Sequence, residues 1–254
     1  MNQKTDYIAV FDSGVGGISV LRQLRKVMPN ERYLYFGDSA NAPYGTKPAR
    51  EVQRLALSVA ERLVAQGVKV LVVACNTATA VAIDSLREAY PDLIVIGIEP
   101  ALKVGAEKYP GGRIGVMATP VTLEGEKFQR LLDRFVDQCQ ISLIGAPGLA
   151  DLVEEGKQNG PEGETLLRKL LEPYKGKLDA LVLGCTHYPF AEETIRKVLG
   201  EETELLDGGE GTAAQTKKLL ALRNLLYDGP GEVVFQNSLP DRHMLELSRK
   251  LAGL

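Results

Sequence analysis

The sequence contains little of several residue types that mark specialised classes of protein. Among its 254 residues there is no tryptophan, and there are two histidines and three cysteines. An odd and small number of cysteines argues against a disulfide framework and favours a reducing compartment. The net charge is only −3, so we expect no nucleic-acid partner and no attraction to anionic membranes. No apolar run approaches the roughly 20 residues of a transmembrane helix, and residues 1–6 are too polar for a secretory signal. We therefore expect a cytoplasmic protein.

The residues that are present alternate between short apolar segments and amphipathic segments. The predicted strands are Tyr7–Phe11, Arg32–Phe36, Val68–Ala74, Ile94–Ile98, Arg113–Met117, Gln140–Ile144 and Ala180–Gly184. The predicted helices are Ile18–Val27, Pro48–Gln66, Thr79–Tyr90, Thr122–Asp137, Glu164–Leu171, Phe190–Val198 and Thr212–Leu226. Strands without polar alternation are typical of sheets covered on both faces by helices. The pattern predicts an α/β fold with mostly parallel sheets flanked by helices.

An internal repeat predicts two similar α/β domains. VLVVACNT at 70–77 resembles ALVLGCTH at 180–187, and each is preceded by a similar strand and turn, IAVFDSG at 8–14 and IGVMATP at 114–120. The tail after residue 206 needs a sheet to pack on, and we expect it to return to the first domain. The predicted domains are therefore 1–98 with 207–254, and 99–206.

Cys75 and Cys185 occupy matching turns between a strand and a helix. A helix N-terminus stabilises a thiolate, which makes the thiol a better base or nucleophile. The alternatives are inert packing, since a single cysteine after an apolar strand is usually buried and unreactive, a disulfide, and a zinc site formed with His187. The cysteines lack the close CxxC spacing that normally marks zinc. His187 by itself fits a structural role and an acid–base role equally well, and Asp12 alone fits a helix cap.

The loop DSGVGGIS at 12–19 raises the alternative of a dinucleotide-binding fingerprint. The match is weak, because the third glycine of the GxGxxG pattern is replaced by Ser19. A negative Asp12 would also lie unfavourably beside a pyrophosphate. The competing interpretation is a tight turn that requires positive φ and a close approach of the backbone.

Taken together, the motifs VFDSGVGG, GDSANAPYGTK, VVACNTATA, IEP, LVEEG and LGCTHYP resemble those of the bacterial glutamate racemases, in the aspartate/glutamate racemase superfamily. The resemblance extends from Ile8 to about Asp207 and is weakest in the C-terminal tail, where VVFQNSLPDRH carries no catalytic signature. It implies two domains related by a pseudo-twofold axis, with the active site in the cleft between them. It also implies a homodimer, a glutamate substrate, no cofactor and no metal, and a role in supplying D-glutamate for peptidoglycan synthesis.

The resemblance also implies roles for particular residues. Cys75 and Cys185 correspond to the two cysteines that remove and deliver the Cα proton on opposite faces. Asp12 corresponds to the carboxylate that assists Cys75, and His187 to the histidine that assists Cys185. LVEEG offers Glu154 and Glu155 as the further assisting glutamate, and we favour Glu154. The implied substrate contacts are Asp12, Ser13, Tyr44, Gly45, Asn76, Thr77, Thr186 and His187.

Three other functions stay open at this point. Aspartate racemase is the nearest, although DSGVGG and PYGTK favour glutamate. A non-catalytic protein that binds a dicarboxylic amino acid would leave the Cα proton in place. A zinc hydrolase would contain bound metal and lose activity with a chelator.

Overall fold

The computed structural model describes residues 3–254, and the chain divides into two compact units. The first unit extends to Ile98 and resumes at Gly209–Leu254, whereas the second comprises Glu99–Gly208. The sequence places the second boundary at residue 207, two residues before the observed one. Among the described residues, no helix combines the length and apolar character needed to cross a membrane.

The first unit opens with strands and helices in strict alternation. They are β1 (Tyr7–Asp12), α1 (Ile18–Val27), β2 (Arg32–Gly37), α2 (Ala49–Val64), β3 (Val68–Val73), α3 (Asn76–Ala89) and β4 (Ile94–Gly97). The longest helix, α2, buries Val52, Val59 and Leu63 among others on one face, the apolar stripe that its 3.6-residue periodicity predicts. Gly67 ends the turn after α2 with φ +78°, a conformation that favours glycine.

The second unit repeats the alternation with shorter elements. They are α4 (Leu102–Lys108), β5 (Arg113–Ala118), α5 (Pro120–Glu124), α6 (Glu126–Asp133), β6 (Gln140–Gly145), α7 (Leu149–Glu154), α8 (Pro161–Leu171), β7 (Ala180–Leu183), α9 (Glu192–Leu199) and β8 (Glu204–Asp207). The single helix predicted over 122–137 is wrong, because Gly125 adopts an extended conformation (ψ 135°) between α5 and α6. Glycine is the weakest helix former after proline, so a break at this position has a clear physical cause.

The chain then forms α10 (Gly209–Leu222), β9 (Glu232–Asn237) and α11 (Arg242–Ala252). β9 adds to the first unit's sheet beside β2, in parallel register from Arg32 opposite Glu232 to Gly37 opposite Asn237. Neither β9 nor α11 was predicted from the sequence. β9 is an edge strand whose residues are mostly half-buried, so it lacks the continuous apolar run of the central strands.

Both sheets are parallel throughout, with orders β4-β3-β1-β2-β9 and β6-β5-β7-β8. In the first unit α1 packs with α10 and α11, whereas α2 packs with α3. In the second unit one apolar cluster contains α4 and α6 residues and another contains α8 and α9 residues. The α/β class with parallel sheets flanked by helices is therefore confirmed.

A buried ion pair holds the C-terminal segment on the first unit. Lys69, on β3, is fully buried, and its ammonium lies 2.6 Å from the Glu31 carboxylate. It also donates to the carbonyls of Lys4 (2.6 Å) and Leu225 (3.0 Å), while the Tyr227 amide donates to Glu31 (2.9 Å). Burial lowers the pKa of Lys69, which the Glu31 carboxylate partly offsets. Loss of one partner would leave the other charge buried, at a cost of about 3–5 kcal/mol.

Candidate active site

In each sheet the direction in which successive strands are added reverses between two neighbouring strands, β1 and β3 in the first unit and β5 and β7 in the second. A cysteine lies at each of these switch points. The helices that follow β1 and β3 pack on opposite faces of the first sheet, as do those that follow β5 and β7 in the second. In open parallel sheets, such a switch point at the carboxyl ends of the strands is where ligands bind. Cys75 lies two residues after the end of β3, and Cys185 lies two residues after the end of β7.

The first switch point brings together Asp12, Ser13 and Cys75. Asp12 is the last residue of β1, and its carboxylate accepts a hydrogen bond from the amide of Gly14 at 2.9 Å. The Cys75 thiol donates to the hydroxyl of Ser13, with 3.7 Å between Sγ and Oγ. Asp12 is fully buried and Cys75 is 6% exposed, so the carboxylate and the thiol share an environment that holds little water.

Cys75 is also the N-cap of α3. Its sulfur accepts a hydrogen bond from the amide of Ala78 at 3.4 Å, and the positive end of the helix dipole faces it. Asn76 and Thr77 form the first turn of α3 and are both buried. The Asn76 Oδ1 atom is buried without a hydrogen-bond partner in the described structure. An unpaired buried acceptor is costly, so it suits a donor group on a ligand.

The glycine-rich loop after β1 allows this close packing. A Cβ at Gly17 would lie 2.7 Å from the Cβ of Asp12 and 2.9 Å from the Cβ of Ala74. The predicted close approach is therefore present at Gly17. The predicted positive φ is wrong, since φ of Gly17 is −61° and neither Gly14 nor Gly16 has a positive φ. Glycine is needed here for space rather than for backbone conformation.

Tyr44 and Gly45 lie on a 3-10 turn, Tyr44–Thr46, of the loop after β2. The buried Tyr44 hydroxyl donates to the Asp38 carboxylate at 2.6 Å. Burial raises the pKa of Tyr44, and the hydrogen bond to Asp38 and the negative charges of Asp38, Cys75 and Asp12 raise it further. The phenol therefore stays protonated. Asp38 was not predicted to lie at this site, although it belongs to the motif GDSANAPYGTK.

The second unit places Cys185, Thr186 and His187 in the turn after β7. The Cys185 sulfur lies 3.7 Å from Nδ1 of His187, and Nε2 of His187 lies 2.7 Å from Oε1 of Glu154. Thr186 is buried beside them. Glu154 is the last residue of α7, whereas the adjacent Glu155 is exposed and pairs with Lys157 at 2.7 Å. The three side chains of Cys185, His187 and Glu154 therefore form a continuous hydrogen-bonded series.

The environment of His187 favours its protonated form. Burial by itself lowers the pKa of His187, but the hydrogen bonds to Cys185 and Glu154, together with the negative charge of those groups, raise it by more than burial lowers it. The net result is a pKa well above the ordinary value of 6.5. An imidazole between a thiol and a carboxylate can hold a proton at one nitrogen and exchange one at the other.

The structure brings the candidate residues together in two groups, one in each unit. Asp12, Ser13, Tyr44, Gly45, Asn76, Thr77 and Cys75 belong to the first group, and Glu154, Cys185, Thr186 and His187 to the second. Across residues 3–254, no three or more histidine, cysteine, aspartate or glutamate side chains are grouped as ligands for a metal ion.

Comparison with known proteins gives matches over almost the whole chain. A family model described as Asp/Glu/Hydantoin racemase matches residues 18–216. A glutamate racemase of Clostridium novyi is 46% identical over 251 residues, which cover 97% of each chain. The crystal structure of a glutamate racemase isoform from Bacillus anthracis has a TM-score of 0.89 at 31% identity and covers 99% of this chain and 96% of that one. The crystal structure of the Francisella tularensis glutamate racemase in complex with D-glutamate has a TM-score of 0.85 at 29% identity, with 99% and 95% covered.

Proposed function

This chain belongs to the Asp/Glu/Hydantoin racemase family, and we propose that it is a glutamate racemase that interconverts L- and D-glutamate without a cofactor. The observation that carries the proposal is a pair of cysteines at equivalent positions after β3 and β7. Cys75 follows the strand that pairs with β1, which ends at Asp12, and the sulfur of Cys185 lies 3.7 Å from Nδ1 of His187. The relatives named above support glutamate as the substrate, since they match almost the full chain and are themselves glutamate racemases.

We propose that the two cysteines act on the same Cα. Inversion requires that a proton leave one face of the carbon and that another arrive on the opposite face, which a single base cannot do from one position. One cysteine, as thiolate, takes the proton, and the other, as thiol, donates its own. After one turnover the protonation states of the two sulfurs have exchanged, so the reverse reaction uses the same two groups.

Within this mechanism each cysteine has its own proton-handling partner. Asp12 assists Cys75, and Ser13 orients the thiol through the contact described above. His187 assists Cys185, and Glu154 holds the imidazole in position through its 2.7 Å hydrogen bond. The carbanion-like transition state is stabilised in a site with little water, where fixed dipoles act more strongly than in bulk water.

The substrate groups match the polar groups near the cysteines. The α3 N-terminus presents backbone amides and a positive dipole end, which suit a substrate carboxylate. The buried Asn76 Oδ1 atom and the Asp12 carboxylate suit the ammonium. Tyr44, Gly45, Thr77 and Thr186 complete the proposed binding set.

Polarimetry on the purified protein tests the activity. L-glutamate and, separately, D-glutamate are added without cofactor, and we expect both solutions to approach zero rotation. L- and D-aspartate serve as matched substrates, and racemisation of aspartate at an equal or higher rate would contradict glutamate as the substrate. A protein that binds glutamate while leaving both rotations unchanged would support the binding-protein alternative.

We further propose that the product supplies peptidoglycan synthesis in a bacterial cytoplasm and that the protein is a homodimer. The small, odd number of cysteines supports a reducing compartment. Expression in a bacterial strain that requires D-glutamate should restore growth without the supplement. Light scattering coupled to size exclusion should give twice the chain mass of 27.6 kDa.

A further inference from the structure

The C-terminal strand β9 ends beside the loop that carries Asp38 and Tyr44. Asn237 is opposite Gly37 at the end of the β2–β9 ladder, and the Ser238 amide donates to the Gly37 carbonyl at 2.9 Å. A Cβ at Gly37 would lie 2.6 Å from the carbonyl oxygen of Gly14 and 3.0 Å from Nδ2 of Asn237. The loops after β1 and β2 and the end of β9 are therefore packed in direct contact.

Two side chains extend this contact beyond the ladder. The Asn237 amide nitrogen donates to the hydroxyl of Ser39 at 2.9 Å, and the Ser238 hydroxyl accepts from the amide of Ala40 at 2.9 Å. Asn237 is itself fixed, because its Oδ1 accepts from the amide of Leu239 at 2.8 Å. The C-terminal segment therefore fixes the residues on both sides of Asp38.

Asp38 connects this segment to the candidate site. Its amide donates to the Asp12 carbonyl at 2.9 Å. Its carboxylate accepts from Nδ2 of the Asn41 side chain at 3.0 and 3.1 Å and from the Tyr44 hydroxyl at 2.6 Å. Tyr44 belongs to the same apolar cluster as Cys75, and its 3-10 turn packs on α3.

We propose that Asn237 and Ser238 are positioning residues, which hold the 38–41 loop so that Asp38 fixes Tyr44 beside Cys75. The inference rests on the proposed function, because it is that function which makes Tyr44 a substrate contact. It gives the C-terminal tail a part in the site, although neither Asn237 nor Ser238 is placed on the substrate. A misplacement of about 1 Å at a reacting group is sufficient to cost up to roughly 100-fold in rate.

The test compares the double variant Asn237→Ala/Ser238→Ala with Gln236→Ala. Gln236 is the preceding residue of β9, and its side chain bonds Gln66 at 2.8 Å, away from the loop. Both variants lose side-chain hydrogen bonds of the C-terminal segment, but only the double variant loses those to the 38–41 loop. We expect kcat/KM for glutamate to fall about tenfold in the double variant, mainly through KM, and to change less than about twofold in Gln236→Ala.

A second readout does not depend on racemase activity. The rate at which iodoacetamide alkylates Cys75, followed on its peptide by mass spectrometry, should rise several-fold in the double variant, because a displaced Tyr44 loosens the buried cluster that it shares with Cys75. Gln236→Ala should alkylate at the wild-type rate. If the wild type does not racemise glutamate, the proposed function fails, but the alkylation rates still decide the positioning role.

Unchanged kcat/KM and unchanged alkylation in a folded double variant would overturn the inference. Should the double variant not fold, Ser238→Ala alone removes only the acceptor for the Ala40 amide. A smaller rise in the alkylation rate of Cys75 is then expected. Ser238→Thr keeps that hydroxyl and should restore wild-type rates. A purely structural role would instead lower the melting temperature and leave both rates unchanged below the transition.

Discussion

The two cysteine turns share a backbone arrangement and differ in the side chains around it. In the first unit the amide of Ala74 donates to the Phe11 carbonyl at 2.7 Å. In the second, the amide of Gly184 donates to the Met117 carbonyl at 2.7 Å. In both cases the cysteine is the next residue, so the same parallel ladder determines its position.

The difference lies in the polar side chains that surround each sulfur. Cys75 caps a helix and contacts Ser13, with a carboxylate, Asp12, at the end of the neighbouring strand. Cys185 contacts an imidazole from its own turn, which a carboxylate from α7 holds in place. The repeat therefore gives each thiol the same backbone position, whereas a polar side chain in contact with it comes from a different segment of the repeated unit, the turn after β1 for Cys75 and the turn after β7 for Cys185.

The largest expected effect comes from removing either thiol. Cys75→Ser and Cys185→Ser should each lower the racemisation rate by about 1,000-fold or more, because a serine hydroxyl is a far weaker base than a thiolate. Cys139→Ser is the matched control, since Cys139 donates only to the Phe135 carbonyl and a hydroxyl retains that bond. If circular dichroism shows that Cys75→Ser or Cys185→Ser is folded and the variant keeps full activity, the proposal that both thiols take part in racemisation is contradicted.

Asp12→Asn and His187→Asn should each cost about 100-fold in kcat/KM, since they remove the partner of a different sulfur. The equilibrium constant of a racemase is one, so kcat/KM must fall equally in both directions for each variant. The primary isotope effect on kcat/KM, measured with Cα-deuterated glutamate, distinguishes the two variants. We expect Asp12→Asn to raise it for one enantiomer and His187→Asn for the other; a rise for the same enantiomer in both variants would contradict separate partners.

The pKa of His187 tests the role of Glu154 directly. In a His243→Asn background, one histidine remains, and NMR titration should give it a pKa well above 6.5. Glu154→Gln removes a carboxylate that raises this pKa and should lower it, whereas Glu155→Gln should leave it unchanged. Because the folded pKa is raised, the stabilisation from His187 is complete below about pH 6.5 and is lost as the pH rises through the folded value. Equal pKa values in the two glutamine variants would contradict the assignment of Glu154.

The smallest expected effects compare two hydroxyls at matched positions. Ser13 is the residue after β1 and Thr119 is the residue after β5, both inner strands of their sheets, but Thr119 caps α5 by accepting from the backbone amide of Thr122 at 3.3 Å. Thr119→Ala should lower the free energy of unfolding by about 1 kcal/mol without changing kcat. Ser13→Ala should reduce kcat about threefold with little change in stability. Urea unfolding and initial rates distinguish the two, and a reversed pattern would mean that the hydroxyl roles are exchanged.

What the sequence predicts well is local. The α/β class follows from short apolar runs alternating with helical periodicity, and Asp12, Cys75 and Cys185 each lie immediately after such a run. The bond between Tyr44 and Asp38 was not predicted, because a motif does not specify which side chains face each other. The contact of Asn237 with Ser39 joins residues almost 200 positions apart, on an edge strand with weak apolar patterning. The choice between Glu154 and Glu155 depends on the last turn of a six-residue helix, where helix boundaries are least certain.

The fate of the Cα proton tests most directly whether two thiols act on one carbon from opposite faces. Protiated L-glutamate is incubated with the protein in heavy water, and both enantiomers are analysed by mass spectrometry at low conversion. We expect that the D-glutamate formed carries one deuterium at Cα while the remaining L-glutamate stays protiated. D-glutamate that retains the original proton, or L-glutamate that takes up deuterium as fast as product forms, would contradict it.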